Sequence, residues 1–320
     1  MTIALASCMR NEGIFLLEWL AFHSALGFDR IVVVTNDCTD GSDMLLDALA
    51  DMGVVTHIRQ DVPDGASPQD AGMDHVLTLC RESEITHVLH IDSDEFLHLP
   101  DGTLSDLLER TQDADVVPIP WLALGDSGVT DWTPGDLVLA RNTRAALGLE
   151  PGVTKFKCLF RVASFAKATD HNPLEPLVDD PQVRSPDGKK LRNGTLYQEK
   201  SARFRPLGKA CDVTSAFLFH YAVKSQDLFL MKNDRGDGQG KASAKYHLGS
   251  GWHAQANRND AEESSMLAHL PQVEAQIAAW RADPAVASAE QACHNWFITR
   301  RAQVLTPENR AAWTRGKATA

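Results

Sequence analysis

The sequence predicts an α/β fold: a mixed, mostly parallel sheet with helices on both faces, followed by a C-terminal helical subdomain. Three patterns predict it. Over the first 120 residues, short apolar runs alternate with stretches whose apolar residues recur at helical spacing, the rhythm of strand–helix units. The runs are apolar at consecutive positions, as strands covered on both faces require. Helical spacing then returns over residues 261–301, interrupted at Pro271 and Pro284.

The elements follow in order. Residues 2–8 are an apolar run of strand length, and 13–26 carry helical spacing up to Gly27, where a helix would stop. Residues 31–34 are β-branched throughout, which suits a buried strand. Ser42 is expected to cap the next helix, with Asp43 in its first turn and Gly53 just past its end. Residues 54–59 form a third strand, 70–81 a helix, and 88–91 a fourth strand that ends at Asp92. Residues 116–124 are expected as a strand beside the one leading to Asp92. Residues 172–205, rich in Pro, Gly and charge, read as a surface insertion or lid, mobile until a ligand orders it. The expected division is a catalytic domain over 1–240 and a helical extension over 241–320.

Composition excludes several classes. A hydrophobic share of 43% with 23% charged residues is that of a soluble globular protein. A formal net charge of −12 argues against a nucleic-acid surface, which needs a basic stripe to neutralise phosphates. A phosphorylated substrate stays possible, because a metal ion can supply positive charge locally. The six cysteines are scattered without a C-x-x-C pair, so they read as reduced thiols rather than zinc ligands or a disulfide scaffold. No run approaches the 18 or so apolar residues of a membrane span, and the N-terminus lacks the basic region of a secretion signal. A cytoplasmic location is expected.

The sharpest chemical signal is HIDSDEF. An apolar strand delivers Asp92 and Asp94 to its C-terminal end, with Glu95 beside them. Ligands of open α/β sheets bind at that edge. Asp-x-Asp on extended chain sets both carboxylates on one side, about 7 Å apart, where Mg²⁺ or Mn²⁺ can bridge them to phosphate oxygens. A solvated turn would explain the pair alone, but not four clustered polar residues after four apolar ones. The exits of the first two strands, MRNEG (with Arg10 and Glu12) and TNDCTDGS (with Asn36 and Asp37), fall at the same edge. Carboxylates there can accept from a nucleoside's imide or ribose hydroxyl. Downstream, HYAVKSQDLFLMKNDRG brings His220, a credible third metal ligand, with Lys224, Lys232 and Arg235 as donors to a diphosphate.

Taken in order, MRNEG, TNDCTDGS, HIDSDEF, the W-x-x-x-G run of Trp121 to Gly125, His171 and HYAVKSQDLFLMKNDRG resemble family 2-like glycosyltransferases, on the branch related to glycosyltransferase family 92. The resemblance spans roughly residues 3–236. It implies a GT-A, Rossmann-like fold, a nucleoside-diphosphate sugar donor (UDP in the first instance), Mn²⁺ or Mg²⁺, and inversion at the anomeric carbon. Carried over residue by residue, Asp94 ligates metal, Asp92 contacts ribose or metal, His220 completes the metal shell, and Asp37 falls near the nucleoside. The second-strand turn is shorter than the family's, which leaves Asn36 and Asp37 as alternatives for the nucleoside contact. Asp126 stands where relatives carry a small polar residue, and 172–205 matches nothing in the family.

The expected activity is sugar transfer to a carbohydrate or glycolipid acceptor, with peripheral membrane association through that acceptor. Asp126, just past the 116–124 strand, is the expected catalytic base, with Asp131 behind it. Two other classes compete. Aspartate-based phosphohydrolases also place Asp-x-Asp after a strand, but carry Thr or Val where this chain has Phe96, and on the first strand rather than the fourth. A nucleotide-sugar or carbohydrate-binding protein without turnover would not need the full set of metal-site candidates.

Overall fold

The computed structural model describes residues 1–100, 102–199, 202–235 and 244–314. Strand β1 (Ile3–Met9), helix α1 (Leu16–Ser24), β2 (Arg30–Thr35), α2 (Ser42–Asp51), β3 (Thr56–Arg59), α3 (Pro68–Arg81) and β4 (His87–His90) build four parallel strands in the order β3-β2-β1-β4. Neighbouring residues of these strands face opposite cores. Ile3, Leu5, Ile31, Val33 and Leu89 pack with α1 and α2, while Ala4, Ala6, Val32, Val34 and Val88 pack with Met73, Val76 and Leu77 of α3. The sheet is therefore covered on both sides at β1 and β2, which is why these strands read as apolar runs, while β3 at the edge is part-exposed.

Past β4 the sheet changes character. The strand Phe156–Arg161 runs antiparallel to β4 on one side and to β6 (Val116–Ala123) on the other. β6 is thus separated from β4 by one strand, which corrects the expectation that the two adjoin. Adjacency cannot be read from order along the chain once a later segment inserts between them. β5 (Glu95–His98) leaves the main sheet and pairs antiparallel with Phe217–His220, which also runs parallel to the end of β6. That register sets His220 opposite both Glu95 and Ala123, next to the β4 exit.

Two further expectations change. Ser42 is the first residue of α2 rather than its cap. Gly41 (φ 88°) takes the left-handed cap position, and the Asp40 carboxylate accepts the Ser42 N–H (2.8 Å) and the Gly13 N–H (2.9 Å). The described part of 172–205, expected as a surface insertion or lid, packs against the sheet rather than standing off it. Val183 pairs with Val116 at the sheet edge, Val183–Arg184 pairs with Lys190–Leu191, and Val183, Leu191 and Leu196 are buried in the α3-side core. Its Pro- and Gly-rich composition reflects tight turns between short paired segments.

The C-terminal helices share the main core. Leu270–Arg281 packs on α1 and Pro284–Val304 on α2, with Val273, Ile277, Trp280, Val286 and Phe297 buried beside the first helices. The helix Pro284–Val304 comes so near the β1 exit that a Cβ at Gly13 would lie 2.4 Å from Cys293 Sγ. No helix among the described residues is long and apolar enough to cross a membrane, and all six cysteines are free thiols.

Candidate active site

The C-terminal edge of the parallel strands opens into a cavity of about 870 Å³. The exits of β1 and β2 form one side, clasped together by Asn11: its Oδ1 accepts the Thr39 N–H (2.8 Å) and its Nδ2 donates to Thr39 Oγ1 (3.0 Å). Asn11 has φ 55°, a left-handed conformation that Asn tolerates better than most residues. Arg10, Glu12 and Asn36 line the cavity from these exits.

The β4 exit supplies the centre. The Glu95 carboxylate is fully buried, accepts the Asp92 N–H (2.9 Å) and so fixes the Asp92–Ser93–Asp94 turn. Burial, followed by the neighbouring Asp92 and Asp94, raises the Glu95 pKa well above the carboxylate range. Asp94 behaves oppositely. Burial would raise its pKa, but the Lys232 ammonium at 3.0 Å and His220, whose Nε2 is 3.5 Å from Asp94 Oδ1, hold it well below the usual value. Asp92 is held by two other partners: Gln69 Nε2 donates to its Oδ1 (2.8 Å) and Lys157 Nζ lies 3.0 Å from its Oδ2. Lys157 is 0% exposed, and its ammonium also donates to the Asp170 carbonyl (2.8 Å). Burial pulls the Lys157 pKa down, yet the adjoining Asp92 carboxylate, ahead of the other acids nearby, turns the net shift upward.

The far wall is aromatic. The Trp121 ring lies 4.2 Å from that of His220 and 5.2 Å from that of His171, measured between centroids. Asp170, His171 and Asn172 continue the wall beyond it.

The structure gathers Arg10, Glu12, Asn36, Asp92, Asp94, His220 and Lys232 around this one cavity. Lys224 lines an adjoining cavity of about 750 Å³ that shares Arg10, Glu12 and Lys232 with the first. It is 4% exposed, and burial lowers its pKa to about 8. Of the two alternatives on the second strand's exit, Asn36 lines the cavity, whereas Asp37 is exposed and lines neither. The Arg235 side chain lies outside the described residues.

Neither expected base lines the two cavities. Asp126 lines neither cavity. Its Oδ1 accepts the Gly128 N–H (3.0 Å) and Asn259 Nδ2 (3.3 Å), and its Oδ2 accepts Asn257 Nδ2 (3.0 Å). A carboxylate so fully engaged fastens a loop to the C-terminal segment. Asp131 is surface-exposed and bonded to Arg310 (2.9 Å), also off the cavity.

The expected three-residue metal set is likewise not assembled. Among the described residues no group of three or more His, Cys, Asp or Glu is arranged to hold an ion, and the Asp92 oxygens are engaged by Lys157 and Gln69. Asp94 and His220 remain. Adjacent ligands on an octahedral ion at about 2.1 Å are about 3 Å apart, so their 3.5 Å approach fits two neighbouring positions. Mg²⁺-type ions are commonly held by one or two carboxylates plus substrate phosphates, so this partial set suits an ion completed by a diphosphate.

Sequence reasoning missed Lys157, Gln69 and Asp170. One signal was available: Lys157 is a charge inside the apolar run FKCLF, and a lysine in a buried strand needs an anionic partner. Nothing local marks Gln69 as a partner of Asp92.

No protein-family model matches the chain. Over 100 residues it is 33% identical to a glycosyltransferase family 92 protein of Ricinus communis, covering 31% of this chain and 18% of that protein. A second family 92 protein, from Oryza sativa subsp. japonica, is 32% identical over 110 residues, 34% of this chain and again 18% of the relative. The chain is thus similar to glycosyltransferase family 92 proteins over about a third of its length, and the match spans less than a fifth of theirs. Among solved structures, S. aureus TarS 1-349 superposes over 94% of this chain and 92% of its own, with 12% identity and a TM-score of 0.36. Glucosyl-3-phosphoglycerate synthase from Mycobacterium tuberculosis, solved with Mn²⁺, UDP and glucosyl-3-phosphoglycerate, covers 38% of this chain and 44% of its own at 15% identity and a TM-score of 0.27. Superpositions this loose leave the architecture to be read from the chain itself.

Proposed function

We propose that the chain is a glycosyltransferase of the GT-A kind. It moves a sugar from a nucleoside diphosphate, UDP in the first instance, to a hydroxyl of a carbohydrate or glycolipid acceptor, inverting the anomeric carbon. The observation that carries this reading is Asp94, held between Lys232 and His220 at the exit of a parallel strand, on the wall of a cavity sized for a small-molecule ligand. The partial similarity to family 92 proteins supports the same class. A glycolipid acceptor would bring the protein to a membrane surface peripherally.

The roles divide along the cavity. Glu12 and Asn36 face the nucleoside, with Asp92, held in place by Lys157, receiving a ribose hydroxyl. A Mn²⁺ or Mg²⁺ ion held by Asp94 and His220 would supply Lewis-acid stabilisation of the departing diphosphate. Lys232 and Arg10 add cationic donors to the same oxygens, the electrostatic contribution that is usually the largest in such sites. Trp121 offers an apolar face beside the diphosphate position for the transferred sugar.

The test is a thermal-shift panel of UDP-, GDP- and dTDP-sugars with and without Mn²⁺, on the wild-type protein and Asp94→Ala. A ligand that binds only the folded state raises the melting temperature with the logarithm of its concentration. A UDP-sugar shift that needs Mn²⁺ and disappears in Asp94→Ala is the expected result. No shift with any sugar nucleotide would refute the reading, and an undiminished shift in Asp94→Ala would remove the metal from it.

A further inference from the structure

Asp126 and Asp131 lie away from the cavity, and its far wall offers another group to take the acceptor's proton. We propose that His171 is the general base, with Asp170 as its positioning partner; the inference rests on the glycosyltransferase reading above. His171 Nδ1 is 2.8 Å from the Phe156 carbonyl oxygen. A carbonyl can only accept, so Nδ1 carries the proton and Nε2 presents a lone pair. Nε2 lies 3.6 Å from Asp170 Oδ2, and both residues line the cavity. That spacing is too long for a direct hydrogen bond. It leaves a hydroxyl that donates to Nε2 close to the carboxylate, which stabilises the imidazolium formed on proton transfer.

Position supports the role as much as chemistry. His220, Trp121 and His171 follow one another along the wall, with Trp121 between the two imidazoles. The diphosphate belongs at the His220 end, beside Asp94 and Lys232. A sugar seated over the indole then has its leaving group on one side and His171 on the other, the arrangement that inversion requires. Burial and the Lys157 ammonium push the His171 pKa down to about 4, so the ring is neutral in the resting protein. An incoming diphosphate, being anionic, raises it again.

In the step, the acceptor O–H proton passes to His171 Nε2 as the hydroxyl oxygen forms its bond to the anomeric carbon. The bond from that carbon to the phosphate oxygen breaks, and its electron pair leaves with the nucleoside diphosphate. The imidazolium then returns its proton to solvent.

The test uses release of UDP from UDP-glucose, UDP-galactose and UDP-N-acetylglucosamine with Mn²⁺, water serving as acceptor. His171→Asn keeps an N–H donor for the Phe156 carbonyl and deletes Nε2. It should bind UDP-sugar with wild-type affinity and turn it over roughly 10² to 10⁴ times more slowly, the usual range for loss of a general base. Added imidazole should restore turnover to His171→Ala, which a purely structural histidine would not allow. Asp170→Asn should lower turnover less, with binding kept. If His171→Asn retains turnover within about threefold of wild type, or if imidazole rescues nothing while the variant melts normally, the inference falls. Absence of sugar-nucleotide binding by the wild-type protein would instead overturn the glycosyltransferase reading, and this inference with it.

Discussion

Asp94, half-buried, and Asp126, buried, both follow the end of a strand, yet their oxygens meet different neighbours. Asp94 faces a lysine and a histidine on a cavity wall, and Asp126 faces two asparagine amides and a backbone N–H. The first arrangement leaves a carboxylate on a cavity wall at a ligand's disposal, and the second spends its bonds on holding structure. Asp126→Asn should therefore act on stability. The new amide would either point a donor at the Asn257 donor or surrender the bond from Gly128. Leaving one such buried donor unsatisfied costs about 1–3 kcal/mol. Urea unfolding should register that loss while UDP-sugar binding stays unchanged. A variant of wild-type stability with lost turnover would return Asp126 to catalysis.

At the level of elements, the site depends on how the last helices grip the first. Asp227, fully buried at the start of the helix Gln226–Arg235, accepts the Trp132 N–H (3.1 Å) and Arg301 Nη1 (2.6 Å) on one oxygen. Its other oxygen accepts the Leu228 N–H (2.7 Å) and the Ser225 hydroxyl. This ties the helix that carries Lys232 to Pro284–Val304, which in turn packs on α2 behind the β2 exit. Removing one partner of a buried, bonded pair leaves the other charge uncompensated, a loss of about 3–5 kcal/mol. Asp227→Ala should lose stability on that scale by urea denaturation, and Arg301→Ala somewhat less, because the Arg301 side chain is partly exposed. Equal stability of wild type and Asp227→Ala would show that the helix is held by apolar packing alone.

Across the whole molecule, buried histidines make the fold acid-sensitive. His23 donates from Nδ1 to the Trp19 carbonyl (2.8 Å) and accepts the Leu97 N–H at Nε2 (3.3 Å), so it bridges α1 to β5 only while neutral. Burial pushes its pKa down from 6.5 to about 3. Burial, with Arg161 nearby, pushes His87 down from 6.5 to about 4. Below pH about 6.5 the unfolded chain binds these protons and the folded chain does not, so the stability of the neutral forms drains away as pH falls toward 4 and below. Glu18, raised from 4.5 to about 7 by burial, works the other way between those values and offsets part of the loss. Asp94, held well below 3.8, adds to the loss at the acid end. The urea midpoint should therefore decline gently from pH 7 to about 4.5 and steeply below it. A midpoint independent of pH from 7 to 4 would contradict these burials.

The sequence by itself determined β1, β2 and β4 and the helices around them, because strands buried on both faces are largely apolar and their helices must show a 3.6-residue period; β3, part-exposed at the sheet edge, was marked only by its place in the alternation. It also determined the Asp92–Ser93–Asp94 turn, since an apolar run that ends abruptly in carboxylates is visible without any neighbour. What it could not determine is which distant segment lies against each carboxylate. Only the tertiary structure inserted Phe156–Arg161 beside β4, and with it Lys157 beside Asp92. The same is true of Asn257 and Asn259, which meet Asp126 from more than 130 residues away. It is true of 172–205 as well, whose Val183, Leu191 and Leu196 find a core that no local pattern announces. A side chain's chemistry is set by the partners that neutralise or bond it, and those partners come from folding contacts that leave no period in the sequence.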